Sequence, residues 1–446
     1  MNLEKIGLHI PEILLPNDSV DLSKWSVVAC DQYTAQPDYW NKAKDIADAS
    51  PSTLNVIFPE VYLEDNDGDD RIQNINLSMQ KYLDDGVLQA MSNKSFILID
   101  RQTSQAPSRK GLVVAIDLEQ YDFNKGSQTL IRATEGTIVD RLPPRIKVRQ
   151  DAAIELPHIM VLIDDPERTV IEPLFEQNPN LIYDFKLMMN SGHIKGYAIN
   201  TPELIGQVAS ALEQLASPDT FKAKYNITAD KHSDVLLYAM GDGNHSLATA
   251  KAIWEKIKED ADDIASVMDN KARYALVELV NIHDDGLEFE PIHRLVFDVD
   301  PEALLAEMQK HFGESCSIQR ADSEAFMKIA AKASRAENRH IVPFNDKTGY
   351  GFIKIDNPPF TLELATLESF LNDYLEKTGG KVDFIHGEDV MNELGVKEGN
   401  MGFFFDSISK NTLFKTIIFD GALPRKTFSM GEADEKRFYL EARKIK

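Results

Sequence analysis

The chain has 446 residues, of which 43% are apolar and 27% are charged, and its formal net charge at pH 7 is -24. The length exceeds that of one ordinary hydrophobic core, so roughly two or three compact units are expected, and the apolar content excludes an extensively disordered chain. The negative charge argues against nucleic-acid and anionic-membrane partners, because proteins that bind them present clustered basic groups to the phosphates.

The N-terminal segment is not typical of an exported protein. Glu4, His9 and Pro11 interrupt the continuous apolar stretch that a signal peptide needs. No later segment approaches the ~18 apolar residues that cross a bilayer. Cys30 and Cys316 lie far apart and lack the C-x-x-C spacing of a structural zinc site. We therefore expect a cytoplasmic protein with reduced thiols and no membrane partner.

Short apolar runs alternate with helical patterns along the chain, which predicts a mixed α/β (α+β) fold. The predicted strands are residues 25–30, 95–100, 111–118, 158–164, 234–240, 274–282 and 292–299. The predicted helices are residues 37–49, 246–259 and 301–313. Residues 181–200 look like two strands joined by an Asn-Ser-Gly turn, so at least one sheet should contain an antiparallel hairpin.

The division into domains is less sharply marked. No fixed-period repeat is visible, which argues against solenoids and propellers. Boundaries are expected near position 150, after an arginine-rich segment, and near position 300, where Asp300 and Pro301 are typical of a helix start. The expected regions of this multi-domain chain are therefore 1–150, 151–300 and 301–446.

The most distinctive segment is residues 241–246, Gly-Asp-Gly-Asn-His-Ser, which joins a predicted strand to the helix that follows it. The first turn of a helix exposes backbone N–H groups and a partial positive charge that attract phosphate or carboxylate. Gly241 and Gly243 would let a ligand approach the backbone closely. His245 is expected to be a neutral imidazole beside the positive helix end, and Asp242 could bind Mg²⁺ or act as a general base.

The same segment is also consistent with an ordinary capped turn. Asn244 could cap the helix, Asp242 could fix the turn through its own backbone, and the glycines could only relieve strain. The residues alone leave both interpretations open.

The segment over residues 236–250 resembles the hallmark Asp-Gly-His-His-Arg segment of a large bacterial family catalogued as domain of unknown function 1015. Other segments are similar to that family in the same order. They are residues 27–60, 111–123, 131–141, 287–297 and 423–445. The resemblance therefore covers essentially the whole chain.

The Gly-x-His-Arg part of this hallmark is similar to a motif of the ParB and sulfiredoxin superfamily, which includes archaeal free-serine kinases. In that superfamily the motif opens a helix and helps to hold nucleotide phosphates. The resemblance implies a ParB/sulfiredoxin-like strand-turn-helix core with mixed sheets, and it implies Mg²⁺ and a nucleoside di- or triphosphate as cofactors. By position, Asp242, Gly243 and His245 match the motif, whereas Ser246 stands where the family usually has arginine.

The serine removes a charge-assisted hydrogen bond, which is worth ~1.5–3 kcal/mol, so positive charge would have to come from elsewhere. A stretch of eighteen residues holds several basic side chains: Arg132, Arg141, Arg145, Lys147 and Arg149. Arg141 and Arg145 flank Pro143 and Pro144 in what we expect to be a stiff loop, and they are the preferred phosphate ligands. A solvated basic face is the alternative.

Further candidates lie in other parts of the chain. Arg294 is a second candidate source of positive charge, although His293 and Arg294 belong to an apolar run in which a structural role is the alternative. Asp31 and Tyr33 follow a predicted strand and are candidates for substrate contact or for turn formation. Cys30 is interpreted as a buried structural thiol, because the charge of Asp31 would disfavour a thiolate.

Three hypotheses about function follow. The first is a nucleotide- and Mg²⁺-dependent phosphotransferase that acts on a small hydroxyl compound, as a serine kinase does. The second is a non-catalytic nucleotide or metabolite sensor, which the serine at position 246 favours. The third is a ParB-like DNA-associated protein, which the net charge opposes. A small molecule is therefore the expected partner, and the sequence carries no indication of an oligomeric state.

In the first hypothesis, Asp242 binds the metal or acts as the base, and His245 contacts phosphate or substrate. Arg141 and Arg145 neutralise developing charge. The expected phosphate-binding residues are Gly241, Gly243, Asn244, Ser246, Arg141, Arg145 and Arg294.

Overall fold

The computed structural model describes residues 2–228 and 234–446. The chain divides into two compact units, of which unit 1 consists of Met1–Glu288 and Met430–Lys446 and unit 2 of Phe289–Ser429. Three regions with boundaries near positions 150 and 300 were expected from the sequence. The observed division differs because the C-terminal segment returns to unit 1, and because a strand that begins before position 300 belongs to the sheet of unit 2.

Unit 1 contains both helices and strands, as the alternating sequence pattern predicts. Its helices are α1 (Leu22–Trp25), α2 (Pro37–Ala47), α3 (Gly68–Asp84), α4 (Leu142–Arg149), α5 (Pro202–Leu215), α6 (Pro218–Tyr225) and α7 (Asn244–Glu259). Its strands before unit 2 are β1 (Leu8–His9), β2 (Leu14–Pro16), β3 (Leu88–Ala90), β4 (Phe96–Gln102), β5 (Arg109–Asp117), β6 (Tyr121–Asp122), β7 (Ile131–Arg132), β8 (Ile154–Glu155), β9 (Met160–Ile163), β10 (Asn180–Lys186), β11 (His193–Ile199), β12 (Tyr238–Asp242) and β13 (Tyr274–Asn281).

A ten-stranded mixed sheet forms the centre of unit 1, with the strand order β10-β11-β4-β5-β13-β9-β12-β7-β6 and with β1 paired to β5. β10 and β11 are antiparallel, which confirms the predicted hairpin. β12 is antiparallel to β9 and parallel to β7. Because both edges of β12 are paired, its last residues are held in a defined position where α7 begins.

Both faces of this sheet are covered by hydrophobic side chains. In β4, Phe96 and Leu98 pack in one cluster, whereas Ile97 and Ile99 pack in another, as expected for side chains that alternate along a strand. The first cluster includes side chains of α5 and α7, and the second includes side chains of α2 and α3. Burial on both faces explains why these strands are continuous apolar runs in the sequence.

Unit 2 is also a mixed α/β unit. Its strands are β14 (Phe289–Phe297), β15 (Cys316–Ala321), β16 (Arg339–Asp346), β17 (Gly349–Asp356), β18 (Lys381–His386), β19 (Met401–Phe403) and β20 (Phe428–Met430). Its helices are α8 (Pro301–Phe312), α9 (Glu324–Ala333), α10 (Glu363–Thr378), α11 (Glu388–Gly395) and α12 (Lys410–Asp420). The sheet order β15-β17-β16-β19-β14-β18 is antiparallel at each pairing. In the described parts of both units, none of the helices has the length and apolar character that a membrane crossing requires.

The C-terminal segment is anchored in the core of unit 1. Trp25 Nε1 donates to the Leu440 carbonyl oxygen at 3.1 Å. Leu14 and Ala442 exchange two backbone hydrogen bonds of 2.8 and 2.9 Å. The last strand, β21 (Arg443–Lys444), pairs with β8. Residues from the end of the chain are therefore integral to unit 1.

Candidate functional site

The connection between β12 and α7 requires a glycine. Gly243 has φ +81° and ψ 28°, and it immediately precedes the first helical residue, Asn244. A Cβ atom at this position would lie 3.1 Å from Ile159 Cα, so any other residue would be both strained and crowded. No side chain among the described residues caps α7. Asn244 is therefore not the helix cap, and the polar side chains of the segment need another explanation.

Asn244 has a buried polar atom without a partner. Its Nδ2 lies 3.5 Å from Thr134 Oγ1, whereas its Oδ1 is buried and accepts no hydrogen bond from the described residues. A buried acceptor without a donor costs ~1–3 kcal/mol and is rare in folded proteins. This amide oxygen is thus suited to contact a ligand, a metal ion or an ordered water at the start of α7.

Asp242 forms an ion pair at the end of β12. Its Oδ1 accepts a hydrogen bond from the Gly243 N–H at 2.9 Å, and its Oδ2 lies 3.1 Å from Lys436 Nζ. The side chain of Asp242 is 31% exposed and that of Lys436 is 13% exposed. Burial alone would raise the pKa of Asp242, but the ammonium group of Lys436 outweighs it and holds this pKa below its usual value. Asp242 is therefore a carboxylate at neutral pH.

His245 lies in the first turn of α7. The Ile138 N–H donates to His245 Nε2 at 3.4 Å. In this arrangement Nε2 is the unprotonated nitrogen of the ring, because an imidazole nitrogen accepts a hydrogen bond only without its proton. The ring thus presents an acceptor toward the loop that precedes α4.

A chain of hydrogen bonds leads from the third residue of α7 into the core. Ser246 Oγ lies 2.8 Å from His158 Nε2. His158 Nδ1 lies 2.8 Å from the hydroxyl oxygen of Tyr439, which also accepts the Cys30 N–H at 3.2 Å. The serine that replaces the arginine of the related motif is therefore paired with a histidine, and that histidine is held by a tyrosine from the end of the chain.

These polar side chains border a cavity of about 150 Å³ in unit 1. The polar residues that line it are Cys30, Glu60, Arg145, Arg149, Glu155, His158, Ser246, Thr249 and Tyr439. Glu60 and Arg145 form an ion pair in which each side chain is about one-fifth exposed. Burial raises the pKa of Glu60, although the guanidinium of Arg145 opposes this shift. The cavity therefore combines charged groups of both signs with a serine–histidine pair.

Of the basic segment predicted to supply phosphate ligands, Arg145 and Arg149 border the cavity that Ser246 also lines. Arg141 is exposed. Arg132 is buried and donates to two backbone carbonyl oxygens, each at 2.8 Å. Lys147 and Arg149 form ion pairs with acidic side chains of unit 1. Arg145 and Arg149 are thus the residues of this segment that line the same cavity as Ser246, and each is paired with a carboxylate.

The prolines of this segment lie in a helix and not in the stiff loop that the sequence led us to expect. Pro143 and Pro144 fall in the first turn of α4. Proline is tolerated there because the first helical N–H groups have no acceptor within the helix, and its fixed φ suits the helix. The Arg141 carbonyl oxygen accepts a hydrogen bond from Arg145 Nη1 at 2.9 Å, one turn further along.

Arg294, the second candidate source of charge, belongs to unit 2. It is fully buried there, its Nε donates to Glu368 Oε1 at 2.8 Å, and its other nitrogens donate to three backbone carbonyl oxygens. Its guanidinium also lies over the ring of Phe384, with 4.6 Å to the centroid. These contacts are typical of a buried arginine that stabilises the fold of unit 2.

Asp31 and Tyr33 show features of turn residues. Asp31 Oδ1 accepts a hydrogen bond from Gln32 Nε2 at 3.0 Å. Tyr33 has a positive φ of 51°, and its ring stacks on that of Tyr39 at 3.7 Å. The adjacent Cys30 is partly buried, and burial and the charge of Asp31 raise the pKa of its thiol.

Four residues of this site were not identified from the sequence: Glu60, His158, Lys436 and Tyr439. His158 lies two residues before β9, which pairs with β12, so the sheet brings it beside the motif. Lys436 and Tyr439 come from the C-terminal segment, which lies beyond the residues 14–372 that the family model matches; its expected resemblance to the family was the one sequence signal for it. Their proximity to α7 depends on the return of the chain to unit 1.

The chain belongs to the family described as protein of unknown function (DUF1015), whose model matches residues 14–372. No curated protein matches the chain.

Several solved structures resemble the chain distantly. A conserved hypothetical protein from Pyrococcus furiosus is 12% identical over 75% of this chain and 95% of its own, with a TM-score of 0.36. A free serine kinase in complex with AMP is 10% identical over 75% of this chain and 92% of its own, with a TM-score of 0.38. SbnI with a C-terminal truncation, from Staphylococcus aureus, is 8% identical over 72% and 82%, with a TM-score of 0.34. Likenesses this weak do not transfer a fold or an activity to the chain.

Proposed function

We propose that this member of the DUF1015 family binds a nucleoside di- or triphosphate with Mg²⁺ at the start of α7 and transfers a phosphoryl group to a small hydroxyl compound. The observation that carries the proposal is the Asp242–Lys436 ion pair at the beginning of this helix. In this pair, a carboxylate that could bind a metal ion and an ammonium group that could bind a phosphate lie side by side at the start of α7.

The start of α7 is suited to phosphate. The first N–H groups of a helix have no acceptor within the helix, and they carry the positive end of its dipole. Gly243 itself adds no side chain at this helix start, although Ile159 packs against it. Lys436 would contribute a full positive charge once it separates from Asp242. Together these groups supply charge that an arginine supplies in the related motif.

The residues present also fit Mg²⁺. The described residues contain no group of three or more His, Cys, Asp and Glu side chains that could hold a metal ion by themselves. Mg²⁺ does not need such a group, because it commonly binds one or two protein oxygens together with phosphates and waters. Asp242 supplies a carboxylate, and the unpartnered Oδ1 of Asn244 supplies a neutral oxygen two positions later. When bound, the ion would neutralise charge on the phosphates.

The acceptor would occupy the cavity beside Ser246. Its volume of about 150 Å³ is below the ~300–1,000 Å³ of pockets that enclose drug-sized ligands. A compound of a few heavy atoms therefore fits, whereas the nucleoside would lie outside. Arg145 and Glu60 could orient a charged acceptor, and His245 could contact its hydroxyl or the transferred phosphate.

Thermal unfolding tests the binding step. The melting temperature of the full chain is measured with ATP, ADP and CTP, each with and without Mg²⁺. A ligand at a hundred times its dissociation constant adds ~2.7 kcal/mol to the free energy of unfolding. We expect a Mg²⁺-dependent increase with at least one nucleotide. No change with any of the three would contradict the proposal.

Product formation tests the transfer step. The chain is incubated with the stabilising nucleotide and a panel of small hydroxyl compounds, including hydroxylated amino acids, and phosphate esters are detected by ³¹P NMR. We expect one class of hydroxyl compound to be phosphorylated. Nucleotide binding without any phosphorylated product would instead identify a sensor.

A further inference from the structure

Ser246 and His158 have the geometry of an activated nucleophile. A nucleophilic hydroxyl lies within ~2.6–3.2 Å of its general base, and a third group orients that base. Ser246 Oγ is 2.8 Å from His158 Nε2, and the hydroxyl oxygen of Tyr439 is 2.8 Å from the other ring nitrogen. We propose that Ser246 accepts the phosphoryl group on its own Oγ, with His158 as the general base, so that transfer passes through a phosphoserine. The identity of the phosphoryl donor, a nucleotide with Mg²⁺, rests on the proposed function.

Tyr439 holds the ring of His158 in position for this role. Its hydroxyl oxygen accepts the Cys30 N–H at 3.2 Å and lies 2.8 Å from His158 Nδ1. In the tautomer that the proposed role requires, His158 Nδ1–H donates to this oxygen, and Nε2 is unprotonated and can accept the proton of Ser246. Burial raises the pKa of Tyr439, so the tyrosine is neutral near pH 7.

The position of Ser246 favours a phosphorylated product. It is the third residue of α7, within the turn where the helix dipole stabilises negative charge. A phosphoserine carries close to two negative charges near neutral pH and accepts several hydrogen bonds, and helix starts and guanidinium groups stabilise it. Arg145 borders the same cavity. An arginine in the position of Ser246, as in the related motif, could not act as a nucleophile, so this chemistry would be particular to chains with the serine.

The proposed step is balanced as follows. Ser246 Oγ forms a bond to the terminal phosphorus of the donor, and the bond from that phosphorus to the bridging oxygen breaks. The electron pair leaves with the bridging oxygen of the nucleoside diphosphate, and the serine proton moves to His158 Nε2. In the second step the acceptor oxygen forms a bond to the phosphoserine phosphorus, and the bond from that phosphorus to Ser246 Oγ breaks. The acceptor proton passes to solvent water, and Ser246 Oγ takes back its proton from His158 Nε2.

Mass spectrometry tests the inference. The full chain is mixed with MgATP or with acetyl phosphate, quenched after short times, and its intact mass and tryptic peptides are measured. We expect one added phosphoryl group, located on Ser246. His158→Gln should slow its formation by ~10²- to 10⁴-fold, the usual range for loss of a general base. Ser266→Ala, which removes an exposed serine elsewhere in unit 1, should change nothing.

The outcomes separate this inference from the proposed function. Ser246→Ala should unfold cooperatively near the melting temperature of the wild type, which shows that it is folded, yet carry no phosphate after incubation with either donor. A wild-type chain that phosphorylates an acceptor without any phosphoserine, or a phosphate located on another residue, would overturn the role of Ser246. Modification of Ser246 by acetyl phosphate without any effect of nucleotides would support Ser246 and contradict the nucleotide donor. No modification by either donor would also overturn the inference.

Discussion

Lys436 Nζ lies 3.1 Å from Asp242 Oδ2, so a residue from the end of the chain neutralises the carboxylate at the beginning of α7. The pair joins the central sheet of unit 1 to the C-terminal segment that returns to it. In this state neither charge is available to a ligand. Binding of a metal–phosphate complex would exchange one ion pair for two, with Asp242 turning to the cation and Lys436 to the anion.

Asp242→Asn should abolish the Mg²⁺-dependent part of nucleotide binding. The amide keeps the shape of the side chain but removes the charge that attracts the ion. A charge-assisted contact is worth ~1.5–3 kcal/mol, so the dissociation constant for MgATP should rise by roughly 10- to 100-fold. Isothermal titration calorimetry measures this change. The control is Asp260→Asn, which removes an exposed carboxylate that pairs with Lys256 at the other end of α7; equal losses in both variants would refute a specific role for Asp242.

Lys436→Met should change the dependence of stability on pH. The pKa of Asp242 is lowered in the folded chain by Lys436, so the pair stabilises the fold above the usual carboxylate pKa of ~3.9, and this contribution is lost as the pH falls below it. Without the ammonium group, the unfavourable effect of burial on the Asp242 carboxylate is no longer offset by this ion pair. Wild type should therefore be more stable than the variant at pH 7, and the difference should shrink below pH ~4. Urea unfolding at several pH values measures it, and a difference that is constant with pH would contradict the assignment.

Gly243→Ala should destabilise unit 1 by more than backbone strain alone. Gly126 has the same φ of +81°, but a Cβ at that position would meet no atom within 4 Å, whereas a Cβ at Gly243 would meet Ile159 Cα at 3.1 Å. Gly126→Ala should cost ~1–2 kcal/mol for the left-handed conformation. Gly243→Ala should cost that amount and ~1 kcal/mol or more for the crowding. Equal losses in chemical denaturation would show that the contact with Ile159 is unimportant.

His9 should make the chain less stable in mild acid. Burial and the nearby charge of Lys94 lower the pKa of His9 to about 4. The folded chain thus holds a neutral imidazole over a range where the unfolded chain protonates it, so stability is full above pH ~6.5 and falls toward pH 4. Because the side chain is partly exposed, we expect a loss of ~1–2 kcal/mol. His9→Phe, which can keep the ring stacked on Tyr274, should remove this part of the pH dependence; an unchanged profile would contradict it.

The strand-turn-helix unit of the site could be predicted from the sequence because the residues that form it are neighbours in the chain. The apolar run of β12, the glycine at position 243 and the amphipathic α7 are adjacent in the chain, and together they place a helix start after a buried strand. The same holds for the β10–β11 hairpin, whose turn residues lie between its strands. Ser246 could be recognised as a departure from the related motif because that comparison uses only the residue type at position 246 and no contact with a distant segment.

The rest depended on contacts between distant segments. Lys436 and Tyr439 reach α7 because the chain leaves unit 1, forms unit 2 and returns, and no local pattern encodes that path. His158 reaches Ser246 through pairing of β9 with β12, a register that periodicity does not specify. For Arg294 the sequence left two roles open, a pocket ligand and a buried structural cation, and its hydrogen bond to Glu368 in unit 2 favours the second.

Hydrogen–deuterium exchange tests the central claim most directly, because it reports where a nucleotide binds. The full chain is labelled with and without saturating MgATP, and peptides covering residues 241–250 and residues 430–440 are followed by mass spectrometry. The account predicts slower exchange in both peptides, with no such change in Asp242→Asn under the same conditions. Nucleotide binding that leaves both peptides unchanged and protects only other parts of the chain would contradict a site at the start of α7.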